Sequence, residues 1–511
     1  MKRMKAAMLV ILSAAIITLL FYKQALGINL LIYELLVVFY LFATKELEFK
    51  GVNQIGMTIA VLFTALFTVV HHSTLSFIVN FSVFFLFIGT LIAPEMKSII
   101  SSFKLASLSL MRSQSKFKEQ MDDKGTKGKK LGFILWRMRI FLIPLLIILL
   151  FIVIYSWSNP KFSLLVEDIG TYIQEKLAFL FEYIDLWVIA VFAIGYIISC
   201  FIFLRVRTKS IIERDAGQTD ELIRKKTKWN VPFKFIALKN EYRSAVFLFF
   251  SLNILLFILN ILDINHVWIN FEWSGEHLKQ FVHTGTYLLI SAILISIVLV
   301  LHYFRNNLNF YRKNKWLKYL SYAWLIQNGI LAISVGIRNW YYIQHFALAY
   351  KRIAVMFFLL LTVYGLYTVL IKVMKRKSPF YIIRTNAFAW VMVFVLASGF
   401  NWDKIIAQYN FRNANESFVH LNFLSELSNT ALPDLDKGLD ELSSIRVQQE
   451  RKFAIGSFSF GSYGRTYMTP EEYHQKLQLR KLIFKLKWES KGILSWNWAE
   501  SQAYEELFGK E

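Results

Sequence analysis

The sequence predicts an all-α fold, a polytopic transmembrane helix bundle of about eleven spans. The amino terminus is expected inside, and a small, mostly helical extracytoplasmic tail closes the chain outside. Three observations carry this. The 511 residues are 56% hydrophobic and 18% charged, more apolar and less charged than a water-soluble chain of this size. The apolar residues come in blocks of about 15–22, the length a helix needs to cross a hydrocarbon layer roughly 30 Å thick. The blocks are continuous rather than alternating, which excludes the strands of a lipid-facing barrel.

The blocks follow in order. Met1–Lys5 is basic and precedes the first block, Ala6–Tyr22. Ala25-Leu26-Gly27 resembles a signal-peptide cleavage site, but the apolar run is long for such a peptide, so a retained helix is expected. Blocks at Ile28–Thr44, Ile55–Val70 and Leu75–Ala93 complete an N-terminal four-helix membrane region over 1–94. Residues 95–139 read as a basic cytoplasmic loop. Within it Ile99, Phe103, Ala106 and Leu110 recur at helical spacing among Lys97, Lys104, Arg112, Lys116 and Lys118. That pattern suits a helix on an anionic inner leaflet and equally a solvated loop.

Ile140–Trp157 and Leu186–Leu204 form a two-helix region over 140–204. An acidic outer loop with Glu167, Asp168, Glu175 and Glu182 joins them. Residues 205–243 are a second basic cytoplasmic segment, with RKKTK at Arg224–Lys228. A five-helix membrane core over 244–400 contains Ser244–Leu262, Tyr287–Phe304, Tyr319–Ile337, Ile353–Val373 and Asn386–Phe400. The tail, 401–511, nearly balances its acids and bases. Thr469-Pro470-Glu471-Glu472 is a helix start: threonine at the cap, proline at the first position, glutamate three residues after the cap. Leu479, Leu482, Ile483 and Leu486 then share an apolar face, and the tail is expected to pack on the outer face of the bundle.

Net charge is +23, and its placement argues against nucleic acid as a partner. Well over half of the 58 lysines and arginines fall in segments assigned to the inside (1–5, 45–50, 95–139, 205–243, 305–318 and 372–384). That is the positive-inside bias. The expected surroundings are a lipid bilayer, the bacterial cytoplasmic (inner) membrane, with anionic inner-leaflet lipids against the basic loops. Arg338, Lys351 and Arg352 are the exception, bracketing an outside loop. The single cysteine, Cys200, lies inside an apolar block, so no disulfide framework, thiolate metal site or redox pair is expected.

Chemistry concentrates between Asn260 and Tyr287, where Asp263, His266, Glu272, Glu276, His277 and His283 crowd the connection between two spans. Eight of the nine histidines map to the outer side, all but His302. Glu276, Gln280, His283 and Tyr287 share one helix face. Asn253, Asn260 and Asp263 share another, and Gln327, Ser334 and Arg338 a third. Polar groups at depth are costly, so these stripes should turn towards one another or towards a wet cavity. The expected site is an outward-facing polar pocket drawing on Asp263, His266, Glu276, Gln280, His283, Tyr287, Gln327, Arg338, His345 and Arg352. Interfacial residues of these types also serve simply to hydrogen-bond each other and headgroups. Glu34, an acid well inside an early block, reads either as a proton relay or as the buried partner of an arginine.

No H-E-x-x-H spacing organises His266, His277, His283 and Glu276 into a zinc site, and no metal or cofactor is expected. P-loop, dinucleotide-binding and nucleophile-elbow motifs are all lacking. No inverted repeat is evident. Three functions fit. The first is an envelope protein that binds or moves a small polar or lipid-linked ligand. The second is a membrane-embedded enzyme using His283 or Asp263 as acid or base on a lipid-linked substrate. The third is a signalling or assembly scaffold.

From Asn240 onward the chain resembles an uncharacterised family of bacterial multi-pass membrane proteins, catalogued only as a domain of unknown function. The resemblance rests on NEYR (Asn240–Arg243), NILDINHVW (Asn260–Trp268), LKQFVHTGTY (Leu278–Tyr287) and LNFYRKNKWLKYLSYAWLIQNGIL (Leu308–Leu331). It also rests on RNWYYIQHFALAYKRI (Arg338–Ile353), FNWDKIIAQYN (Phe400–Asn410) and SWNWAE (Ser495–Glu500). The first 230 or so residues show no such pattern. The resemblance implies a multi-pass fold and assigns no catalytic role.

Overall fold

The computed structural model describes residues 2–47, 49, 51–122, 144, 147–181, 185–224, 234–271, 275–305, 307–453 and 468–509. These residues are all-helical, with one isolated antiparallel bridge between Glu221 and Lys377. In chain order the first helices are α1 (Lys2–Phe21), α2 (Ile28–Ala43), α3 (Val52–Val70), α4 (Thr74–Ile92) and α5 (Ile99–Asp122). Then come α6 (Ile147–Ser158), α7 (Pro160–Phe181), α8 (Leu186–Phe203) and α9 (Lys209–Ala216). Helix α10 (Lys234–Asp263) runs into a π-helix (Ile264–Ile269) and is followed by α11 (Gly275–Tyr303), α12 (Lys315–Phe346), α13 (Tyr350–Lys375) and α14 (Pro379–Ser398).

Among the described residues, α3, α4, α8, α10, α11, α12, α13 and α14 are long and apolar enough to cross a membrane, while α1, α2 and α6 are shorter apolar helices. Each apolar block of the sequence overlaps one of them, and residues 140–143, 145 and 146 of the block Ile140–Trp157 lie outside the described residues. The acidic stretch read as a loop is largely helix α7. Its turns follow α6 after a single non-helical residue, Asn159, whose Oδ1 accepts the N–H of Lys161 (3.0 Å).

Two groups of helices form the bundle. α1, α2, α3, α4, α5 and α8 pack together, and α10, α11, α12 and α13 form a second set. Helix α14 belongs to both. It packs on α13 and also on α3, α4 and α5. Asn386 Nδ2 donates to Thr368 Oγ1 of α13 at 2.8 Å, while Phe388 meets Gly56 of α3. Ser378 caps its start, accepting the Tyr381 N–H, with Pro379 at the first turn, as its geometry favours.

Hydrogen bonds and ion pairs sort the helix ends into two faces. At one end, Arg205 pairs with Glu46, Arg207 with Glu95, Arg384 with Asp220 and Lys377 with Glu221. This end carries the described basic segments. Helix α5 crosses it, sinking Ser102, Leu105, Ala106, Ser109 and Ser113 into the bundle. Ser109 Oγ accepts the Val206 N–H at 3.0 Å, and Lys116 Nζ donates to the Arg205 carbonyl at 2.9 Å. Of the four residues whose spacing suggested this helix, Ile99 and Ala106 are buried, Leu110 is half-buried and Phe103 is exposed. The inward face is mostly serine, because only small side chains let α5 approach α4 closely.

The opposite end carries the tail. Its helices are α15 (Trp402–Arg412), α16 (Leu421–Leu424), α17 (Leu432–Leu435), α18 (Leu439–Phe453), α19 (Pro470–Glu489) and α20 (Trp498–Phe508). They enclose a core of their own that includes Ile406, Leu424, Leu432, Leu435, Tyr473, Leu477 and Phe484. Helix α19 starts where the sequence signal places it. Thr469 Oγ1 accepts the Glu472 N–H (3.2 Å) and Glu472 Oε2 accepts the Thr469 N–H (2.9 Å).

The tail is fastened to the bundle at two places. The Asn410 amide pairs with both the N–H and the carbonyl of Leu348, at 2.7 and 3.1 Å, beyond the end of α12. Farther along, the Trp496 carbonyl accepts the Ile28 N–H (2.9 Å) and Ser495 Oγ accepts the Ala25 N–H (2.9 Å).

Next to that second contact, Glu500 accepts hydrogen bonds from Lys491 and from Asn497 Nδ2, and lies 3.9 Å from His72 Nε2 on the turn after α3. Burial holds the His72 imidazole below its ordinary 6.5. Burial opposes ionisation of Glu500, yet Lys491, His72 and Asn497 hold its carboxyl below its ordinary 4.5. The undocked histidine therefore binds a proton more readily than the docked one, whereas the bonds from Lys491 and Asn497 to Glu500 lie within the tail itself. Docking is strongest above about 6.5 and weakens as pH falls through the histidine range. Proteolysis of the segment after residue 490 is expected to accelerate between about pH 7 and about pH 5. His72→Asn, which suits the left-handed backbone there (φ 47°), should flatten that dependence.

Candidate functional site

The polar stripes of α10 and α12 face each other. Asn253 Nδ2 donates to the Leu320 carbonyl (3.0 Å) and Gln327 Nε2 donates to Asn253 Oδ1 (2.7 Å). Two turns on, Asn260 Nδ2 donates to the Gln327 carbonyl (3.2 Å). At the tail-side end, Ser334 Oγ donates to Asp263 Oδ2 at 2.6 Å and Arg338 Nη2 pairs with Asp263 Oδ1. Asp263 and Arg338 are 6% and 5% exposed. The result is a polar seam running along an otherwise apolar helix pair. Arg338 stands roughly 12 Å before the end of α12, at about 1.5 Å per residue, one residue past the apolar block Tyr319–Ile337, as Asp263 is one residue past Ser244–Leu262.

Local structure explains why Asp263 is held there. It ends α10, and the chain continues as one turn of π-helix that buries Val267. Phe271 then stacks on Tyr341 of α12, centroids 4.3 Å apart. Single π turns recur at functional sites, where they re-aim side chains. On the third side, a side chain at Gly285 of α11 would meet Arg338 Nη1 at 3.5 Å. Three helices therefore converge on the guanidinium.

The remaining predicted residues are distributed more widely. His266 is exposed on the π-helix and Tyr287 is exposed on α11. Glu276, Gln280 and His283 lie on α11, but their side chains fall outside the described residues, as do that of His277 and the whole of Glu272. His345, half-buried near the end of α12, accepts the Phe418 N–H on its carbonyl (2.7 Å). Arg352 is not in the seam. It caps α12, donating to the carbonyls of Phe346 (2.6 Å) and Ala347, with its guanidinium 4.5 Å from the Tyr342 ring centre. Two of the three cations that break the charge bias are thus accounted for, Arg338 by Asp263 and Arg352 by the end of a helix, where the dipole favours positive charge. Lys351 is exposed.

Glu34 is not paired with an arginine among the described residues. Asn80 Nδ2 of α4 donates to its Oε2 at 3.0 Å and lies 3.3 Å from Thr64 Oγ1 of α3. The acid is held by an amide, not by an arginine.

Sequence reasoning missed two features. Lys372 of α13 is buried and donates to the carbonyls of Phe304 (2.8 Å) and Lys377 (3.1 Å), closing the end of α11. Its signal was a lysine three residues inside the basic cluster that ends α13. The second is a cleft of about 310 Å³ in the tail, lined by Gln408, Phe411, Arg412, Asp434, Lys437 and Glu441. Among the described residues, no group of three or more His, Cys, Asp or Glu is placed to hold a metal.

A family model described as "Domain of unknown function (DUF4153)" matches residues 6–438. The match bears out the family read from the sequence and differs from that reading in extent. It begins in α1, so the first 230 residues also carry the family pattern, and it ends before α18, so SWNWAE lies beyond it. No curated protein and no solved structure matches the chain. With the model covering most of its length, the chain belongs to the DUF4153 family of proteins with a domain of unknown function, and its long apolar helices mark it as a membrane protein.

Proposed function

We propose that this is a multi-pass protein of the bacterial cytoplasmic membrane that binds or moves a small polar or lipid-linked ligand at the outer end of the α10–α12 seam. The basic end faces the cytosol and the tail faces outward. One observation carries the reading: the Asp263–Arg338 pair, with Ser334, is buried in a membrane helix interface. Ionisable groups buried between membrane helices are expensive and mark ligand or ion paths. An anionic headgroup or carboxylate competing with Asp263 would find a planar guanidinium suited to bidentate capture, beside Gly285 of α11.

The test uses the purified full chain in native lipid nanodiscs. Native mass spectrometry is expected to show a discrete small-molecule or lipid adduct on the wild type. The adduct should be lost from the charge-neutral Asp263→Asn/Arg338→Gln double variant, which keeps hydrogen bonding across the seam. Identical adducts on both proteins would refute the site. Orientation is tested separately: a reporter that matures only in the cytosol, fused after the tail, should stay dark.

A further inference from the structure

Helix α19 has two apolar faces. One, with Tyr473, Leu477 and Phe484, fills the tail core. The other is the stripe Leu479, Leu482, Ile483 and Leu486, at spacings of three, one and three. The sequence suggested that this stripe helps the tail pack. The structure leaves it exposed, Leu482 at 56% and Leu486 at 60%. Ile493 and Trp498, just beyond the helix, are exposed as well, Ile493 at 84%. A contiguous apolar strip on a water-side domain marks an interaction surface.

We infer that this strip rests on the outer surface of the lipid bilayer, with its apolar side chains entering the boundary between headgroups and acyl chains. Three observations favour lipid over a protein partner. First, Ile493 lies close to the turn between two apolar helices of the bundle. Ser495, two residues after Ile493, binds Gln24 and the Ala25 N–H where α1 ends and α2 is about to begin. Residues at that level of the chain stand at the membrane edge. Second, Lys487 flanks Leu486, about 100° round the helix, so its stem can cover the strip's margin while its ammonium reaches phosphates; Lys485, on the other side, sits over the Phe508 ring at 5.2 Å. Third, Trp498 belongs to the residue type that collects at headgroup level. An amphipathic helix with basic flanks is the standard form of in-plane membrane contact.

The one cysteine, Cys200, is fully buried, so an added surface cysteine can be labelled selectively. Ile483→Cys and, as a control on exposed α18 surface, Ser444→Cys are spin-labelled in the full chain. The protein is reconstituted in vesicles of phosphatidylethanolamine and phosphatidylglycerol. Collisions with oxygen and with a water-soluble nickel chelate are measured. The inference expects the label at 483 to meet oxygen severalfold more often than nickel, at any protein-to-lipid ratio, and the label at 444 to show the reverse preference. A label at 483 that meets nickel freely overturns it. A label shielded from both reagents, increasingly so at high protein density, also overturns it and assigns the strip to a second copy. Replacing Leu482 with glutamate in the labelled chain should move the 483 label towards water, with the protein remaining monodisperse.

Discussion

Replacing Arg338 with alanine is expected to destabilise the α10–α12 interface by about 3–5 kcal/mol, because it leaves Asp263 as an uncompensated buried charge. Asp263→Ala should cost a similar amount for the complementary reason. The informative variant is the double one. Asp263→Leu with Arg338→Met removes both charges and keeps most of the volume, and such replacements are often neutral or stabilising by about 1–4 kcal/mol. The measurement is the midpoint of heat-induced loss of the monodisperse peak, in lipid-like detergent, for the wild type, two singles and one double. A double variant as unstable as either single would show that the two groups do not compensate each other. A stable double variant that also lacks the adduct proposed for the wild type would separate the work of the pair from its contribution to folding.

The second large effect is expected at Gly89. A Cβ there would sit 2.4 Å from the Ser102 carbonyl oxygen and 3.0 Å from its carbon, both in the backbone of α5. No rotamer change relieves that contact, so α4 and α5 must separate. Alanine gains up to about 1 kcal/mol of helix propensity over glycine. Overpacking of this kind typically costs about 1–3 kcal/mol, and backbone-to-backbone contact places it at the upper end. Gly89→Ala should therefore lower the thermal midpoint, while Gly56→Ala should hold or raise it. At Gly56 the nearest atom is the Phe388 ring at 3.6 Å, an ordinary contact. Equal behaviour of the two variants would reject the close packing of α4 on α5.

What could be read from the chain follows from which forces act locally. The long helices were legible because hydrocarbon thickness fixes their length. The seam was legible because Asn253, Asn260 and Asp263, like Gln327, Ser334 and Arg338, repeat at helical intervals in otherwise apolar blocks. Partners between distant segments were not. Glu34 and Asn80 are far apart in sequence, and nothing in either block pairs them. Periodicity also shows that a helix has an apolar face without showing what covers it. Leu482 and Phe484 lie on different faces of α19, and only the fold reveals that Phe484 points into the tail. Serine misleads similarly. The buried face of α5 reads as polar, yet small side chains are what close contact between helices requires.

The fastening of Ser495 and Trp496 to the first loop has a consequence for biogenesis. The Ala25 amide reaches the translocon long before its acceptor, which is made 470 residues later. Until then the hairpin of α1 and α2 carries open donors at its tip. A chain interrupted anywhere before that point keeps them open, so a stalled or clipped product differs chemically from a finished one at the tip of its first hairpin.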